Sequence, residues 1–108
     1  MEKEKKNDTL RGKQKKYLRG LGHHLDHSVI VGREGISDNL IFSCEDALLA
    51  HELIKIKLGQ NCPLDKNDAA RKLADQTGAQ LVQLLGKTVL LYKANPEIAK
   101  DQRIHLPH

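Results

Sequence analysis

At 108 residues, with 39% hydrophobic side chains but no Trp, one Phe and two Tyr, the chain has room for one domain with an aliphatic core. No apolar run approaches the roughly 20 residues that a membrane span needs, and the charged start Met1–Lys6 has no apolar segment behind it, which argues against a secretory signal. The two cysteines, Cys44 and Cys62, form no framework, so a reducing cytoplasm is the expected location.

The formal charge of +4 is unevenly spread. Residues 1–19 hold eight Lys or Arg against three acids, and the remainder holds ten against eleven. A positive excess confined to one end suggests a polyanionic partner, either nucleic acid or an anionic membrane, although a solvated tail kept for solubility carries the same signature. Residues 1–8 are expected to be flexible. Thr9 is placed to cap a helix running to about His24. On a helical wheel Leu10, Gln14, Tyr17, Leu18, Leu21 and Leu25 share an arc of roughly 100°, to be buried. Arg11, Lys15, Lys16 and Arg19 lie opposite, with Lys13 at the margin. No acid occurs between Thr9 and Leu25, whereas an ordinary solvated helix face interleaves Glu with its cations.

Ser28–Val31 reads as a short buried strand, followed by Gly32-Arg33-Glu34-Gly35. Ser37 or Asp38 then caps a second helix with Leu40, Cys44, Ala47 and Leu48 as its apolar stripe. In Leu53–Leu58 the alternation turns Ile54, Ile56 and Leu58 to a core and Lys55 and Lys57 away, so part of one sheet face is wet. Asp65 caps a third helix with Ala69, Ala70 and Leu73 inward, and Gly78 suits the left-handed position after its end. Leu81–Leu85 and Thr88–Tyr92 form a hairpin over Gly86-Lys87, a type II′ turn. Residues 95–108, with Pro96 and Pro107, read as an irregular tail. The order α-β-α-β-α-β-β predicts an α/β domain over residues 9–94, of the α+β two-layer kind, with a four-stranded mixed sheet packed on helices.

A G-x-x-G loop between a strand and a helix start lets a phosphate backbone approach free N–H groups, with Arg33 adding charge, in the manner of KH domains. The same two glycines also suit a plain tight turn. The histidines and cysteines show no C-x-x-C pair, and His23 and His27 offer at most two ligands, so no metal site is expected. No nucleophile elbow, Walker loop or dinucleotide fingerprint is present, so neither an enzyme nor a cofactor is expected.

Several blocks in order resemble a known family: Leu10-Arg11-Gly12-Lys13-Gln14-Lys15-Lys16-Tyr17-Leu18-Arg19, then Leu25 and Val29–Gly32, then His51–Lys57, Thr77–Gln80 and Gln83–Tyr92. They resemble the CRM domain (chloroplast RNA splicing and ribosome maturation) in its stand-alone bacterial YhbY-like form. The resemblance implies a fold similar to the C-terminal domain of translation initiation factor three. It also implies RNA binding through the basic first helix (Arg11, Lys13, Lys15, Lys16, Arg19) and the loop Gly32, Arg33, Glu34 and Gly35, with large-subunit ribosomal RNA in ribosome precursors as partner. The sequence departs from that pattern at Glu34, where a neutral or polar residue is more usual. A cytoplasmic, monomeric ribosome-assembly factor is the resulting expectation. The alternative is a non-catalytic module that sets the basic helix on an anionic membrane or protein surface, and the lack of Trp or Phe on that helix argues against a membrane.

Overall fold

The computed structural model describes residues 10–108. Three helices and four strands follow in the expected order: α1 (Gly12–Gly22), β1 (His27–Val31), α2 (Asp38–His51), β2 (Leu53–Leu58), α3 (Lys66–Thr77), β3 (Gln80–Leu85) and β4 (Thr88–Tyr92). The sheet order is β1-β2-β4-β3. β1 and β2 run parallel, joined by the α2 crossover, whereas β4 enters antiparallel between β2 and β3. The α3 crossover therefore carries the chain past one strand position to the sheet edge, and the hairpin folds β4 back into the gap.

The local signals act as the residues dictate. The Ser37 hydroxyl accepts the Leu40 amide at 3.2 Å, and the Asp65 carboxylate accepts those of Asn67 and Asp68. Gly78 ends α3 at φ 73°. In the hairpin turn Gly86 has φ 59° while Lys87 does not turn positive, which is the type II′ pattern and not I′.

The sheet's two faces are covered differently. α2 and α3 pack on one, where Val29, Val31, Ile54, Ile56, Leu58, Val89 and Leu91 meet Cys44, Leu48, Ala69, Ala70 and Leu73. These are the expected two layers. On the other face α1 adds a partial third: Leu10 and Leu18 bury Leu53, Val82, Leu90 and Tyr92. Fully burying a leucine such as Leu18 contributes about 2–3 kcal/mol relative to exposure.

α1 differs from expectation at both ends. It starts at Gly12 with Arg11 in the cap position, where the Gln14 side chain reaches back to accept the Arg11 amide at 3.0 Å. Thr9, the expected cap, lies outside the described residues. The helix stops at Gly22, short of His24, and Leu25 is exposed instead of buried. Gly22 lies so close to Leu90 that a Cβ there would sit 2.8 Å from its methyl, so the helix end rests on the sheet through bare backbone. Tyr17 is also exposed, at the rim of the apolar face.

The segment 95–108 is irregular apart from a 3₁₀ turn at Lys100–Gln102, yet it is fastened to the core. Ile104 and Leu106 extend the α1-side cluster, and the Gln14 amide donates to the Pro107 carbonyl. Glu52, between α2 and β2, is 1% exposed and has φ 64°. Its carboxylate accepts the amides of Asn95 and Ile104, each at 2.7 Å, so a single buried side chain pins the start and the middle of this segment.

Candidate nucleic-acid interface

α1 crosses β2, β4 and β3 but leaves the outer face of β1 and the turn end of the hairpin bare. Ile30 is consequently 62% exposed and Leu85 63%. Along the step from helix to open sheet runs a groove of about 450 Å³. Lys16, Arg19 and His23 line it from α1 and its end, and His27, Lys55, Gln83 and Thr88 line it from the sheet. Among the described residues that line it there is no carboxylate.

Each lining residue has a structural reason for its place. Lys16 projects from the helix side opposite buried Leu18 and Arg19 from its flank, and Arg19, in the last turn, also faces the negative end of the helix dipole. Lys55 and Lys57 occupy the strand positions that alternate away from Ile54 and Ile56. Lys55 sits opposite His27 in the β1–β2 register, and its ammonium donates to the Leu25 carbonyl at 3.2 Å, which holds the connection from α1 to β1. His27 reaches diagonally over β2, placing Nε2 3.5 Å from the Thr88 hydroxyl.

The glycine loop lies at the same end of the sheet as Leu85 and Thr88, which line the groove. Val31 pairs with Leu58, the Gly59 amide donates to the Val31 carbonyl, and the Leu58 amide donates to the Lys87 carbonyl. Gly32–Gly35 and the Gly86-Lys87 turn therefore flank one sheet end, with the Ile30–Lys57 pair between loop and groove. The loop is a β-turn closed by the Gly35 amide on the Gly32 carbonyl at 3.0 Å. Its glycines serve different ends. Gly35 has φ 72° and is buried, with a Cβ position 3.4 Å from Pro63. Gly32 has ordinary backbone, and a Cβ there would meet nothing within 4 Å. Arg33 and Glu34 are both exposed at the tip. The α2 dipole adds less here than strand–loop–helix order alone suggests, because Ile36 and Ser37 intervene, Ser37 occupies the Leu40 amide, and Asp38 carries negative charge in the first turn.

The structure divides the expected basic helix face. Lys16 and Arg19 enter the groove. Lys15 instead lies half-buried over the β3 edge, sharing a hollow with Arg71 and Asp75 of α3. Lys13 sits beside Tyr17 and Pro107, and Arg11 is exposed at the helix start. His23, His27, Lys55 and Thr88 were not singled out by the sequence as contacts. The outward alternation of Lys55 and Lys57 was the one signal for them; the pairing of β1 with β2 that sets His27 beside Lys55 was not visible.

An acid-free groove lined by ammonium, guanidinium and imidazole donors suits a polyanion whose charges repeat along a chain. Among the described residues no three His, Cys, Asp or Glu side chains gather as a metal site requires. Burial pushes the Cys44 thiol up to about 11, with Glu45 adding to the effect, and the thiol lies inside the core away from the groove.

The family model for the CRS1 / YhbY (CRM) domain matches residues 10–93. The chain belongs to that family. Among its relatives, the Bacillus subtilis protein named probable RNA-binding protein YqeI is 46% identical over 98 residues, covering 91% of this chain and 99% of the relative. A Haemophilus influenzae protein named RNA-binding protein is 35% identical over 99 residues, covering 92% and 96%. The solution structure of the hypothetical protein SAV1595 from Staphylococcus aureus superposes with a TM-score of 0.75 at 38% identity, over 92% of this chain and all of that one. This CRM domain thus shares its four-stranded mixed sheet and three helices with a solved relative.

Proposed function

We propose that this CRM domain is a non-catalytic RNA-binding protein, acting as a monomer in the cytoplasm on ribosomal RNA in precursors of the large ribosomal subunit. The observation that carries RNA binding is the groove of Lys16, Arg19, His23, His27 and Lys55, whose described lining holds no acid. The names of the relatives point the same way. The ribosomal assignment rests on the resemblance to stand-alone bacterial YhbY-like proteins. Physics adds one constraint: a groove of cations without an aromatic platform reads backbone and shape, so selectivity must come from a structured RNA.

The deciding experiment is gradient sedimentation of lysates at low and at moderate salt, since a contact made by phosphates weakens with salt. Co-migration with immature large subunits, and depletion from translating ribosomes, is expected. Crosslinking in cells followed by sequencing of the attached RNA names the site. Sedimentation with small subunits or membranes alone at both salts would overturn the ribosomal assignment.

A further inference from the structure

On the side of the sheet away from the groove the two helices differ in charge: α3 mixes Lys66, Arg71 and Lys72 with Asp68 and Asp75, whereas α2 is acidic. α2 contains no Lys or Arg and carries Asp38, Glu45 and Asp46. Phe42, the chain's sole phenylalanine, is 65% exposed on this helix, and Leu49 is 58% exposed. Seven residues apart, they stand one above the other roughly 10 Å apart along the outer surface. At 100° per residue Glu45 falls on one side of this apolar pair and Asp46 on the other. Beyond Leu49 the pair runs into a hollow of about 660 Å³ between the end of α2 and residues 93–97, with Pro96 on its wall and Glu97 at its edge. The nearby cation, Lys93, donates its ammonium to the Thr77 carbonyl at 2.9 Å, at the end of α3.

Phe and Leu at a two-turn spacing, framed by carboxylates, fit apolar residues of another helix framed by Lys or Arg. An RNA strand is repelled by the same carboxylates. We infer that the outer face of α2 docks a basic amphipathic helix of a partner protein, on the side of the sheet opposite the RNA groove. The domain then joins a polyanion on one side to a cationic protein segment on the other. This holds whether or not the RNA is ribosomal.

The test uses the full chain, labelled with ¹⁵N, titrated without RNA with a synthetic peptide of about 18 residues, long enough to form a helix. Leu repeats at helical spacing and Lys flanks it; a second peptide replaces each Lys with Glu. The Lys peptide should shift amide signals of residues 38–50 and 94–97 and leave α1 and the glycine loop unchanged. Phe42→Ala with Leu49→Ala should weaken it about tenfold or more, and Asp46→Lys should weaken it as well. Both residues are exposed, so the variants should keep the wild-type spectrum elsewhere. Equal binding of the Glu peptide, unchanged affinity in the double variant, or shifts centred on α1 would each overturn the inference. So would shifts of the same signals on raising protein concentration alone, which would assign the face to a second copy, or on adding RNA.

Discussion

Replacing Lys16, Arg19 and Lys55 together by Gln removes three cations from the groove while keeping polar side chains there. If each neutralises one phosphate of a single strand, the log–log salt slope of binding should become shallower by about 2, at roughly 0.7 per contact. Between 50 and 200 mM salt that difference amounts to about 20-fold in affinity, so wild type and variant should converge as salt rises. The Lys55 ammonium also holds the Leu25 carbonyl, and losing that hydrogen bond costs about 1 kcal/mol, which a thermal melt reads separately. The matching control is Lys15→Gln, because Lys15 points over the β3 edge toward Asp75 and Arg71 and not into the groove. Fluorescence anisotropy with a labelled single-stranded RNA at four salt concentrations measures both slopes. A triple variant that melts near wild type yet keeps the full slope, or a Lys15 variant that loses as much as the triple, would refute the placement of the polyanion in the groove.

Gly32→Asp should leave the melting temperature unchanged and weaken RNA binding, whereas Gly35→Asp, at φ 72° against Pro63, should also destabilise the fold by roughly 1–2 kcal/mol; circular dichroism beside a binding titration separates the two. Glu52→Ala removes the carboxylate that accepts the part-buried amides of Asn95 and Ile104 and should cost roughly 1–3 kcal/mol, seen as a lower urea midpoint. The Cys44 thiol, raised by burial, keeps its proton longer in the folded chain than in the unfolded one, so its contribution is present below pH 9 and is lost as pH climbs toward about 11. Stability should fall by about 2 kcal/mol between pH 8 and 10.5, and Cys44→Ala should flatten that slope without abolishing it, since Tyr92, also raised by burial, acts in the same direction at higher pH. Ile104→Ala with Leu106→Ala should speed hydrogen exchange in α1 more than in α3, because those side chains pack with the α1-side cluster alone.

Local chemistry made most elements readable. The caps Ser37 and Asp65, the alternation of Leu53–Leu58, and the Gly86-Lys87 turn are each decided within a few residues, and each appears as expected. What failed was non-local. The end of α1 packs on Leu90, nearly seventy residues away, whose methyls would have to move to admit a Cβ at position 22. Glu52 carries no local signal of its role, because its partners are backbone amides of a segment that has no pattern of its own. For the site, residue types were legible but grouping was not. A helical wheel assigns Arg11, Lys15, Lys16 and Arg19 to one arc, yet that arc is wide enough to be divided when the helix lies across a sheet. Lys15 then falls on one flank and Lys16 and Arg19 on the other, where the sheet supplies His27 and Lys55.

That division explains how a chain with a formal charge of only +4 can address a polyanion. Net charge of this size gives weak long-range attraction, and a uniform spread would leave little to orient an approaching strand. Here the cations of α1 and β2 meet in a groove whose described lining holds no carboxylate, while α2, on the opposite side of the sheet, carries three acids and no Lys or Arg. The two sets are separated by the sheet and the aliphatic core packed on it, which keeps them from neutralising each other at contact distance and leaves the molecule with a directional field. An RNA strand drifting near is drawn to the groove and repelled by the outer surface of α2. Low net charge limits adhesion elsewhere, so orientation comes from the same modest number of cations that a basic tail would have spent on indiscriminate attraction.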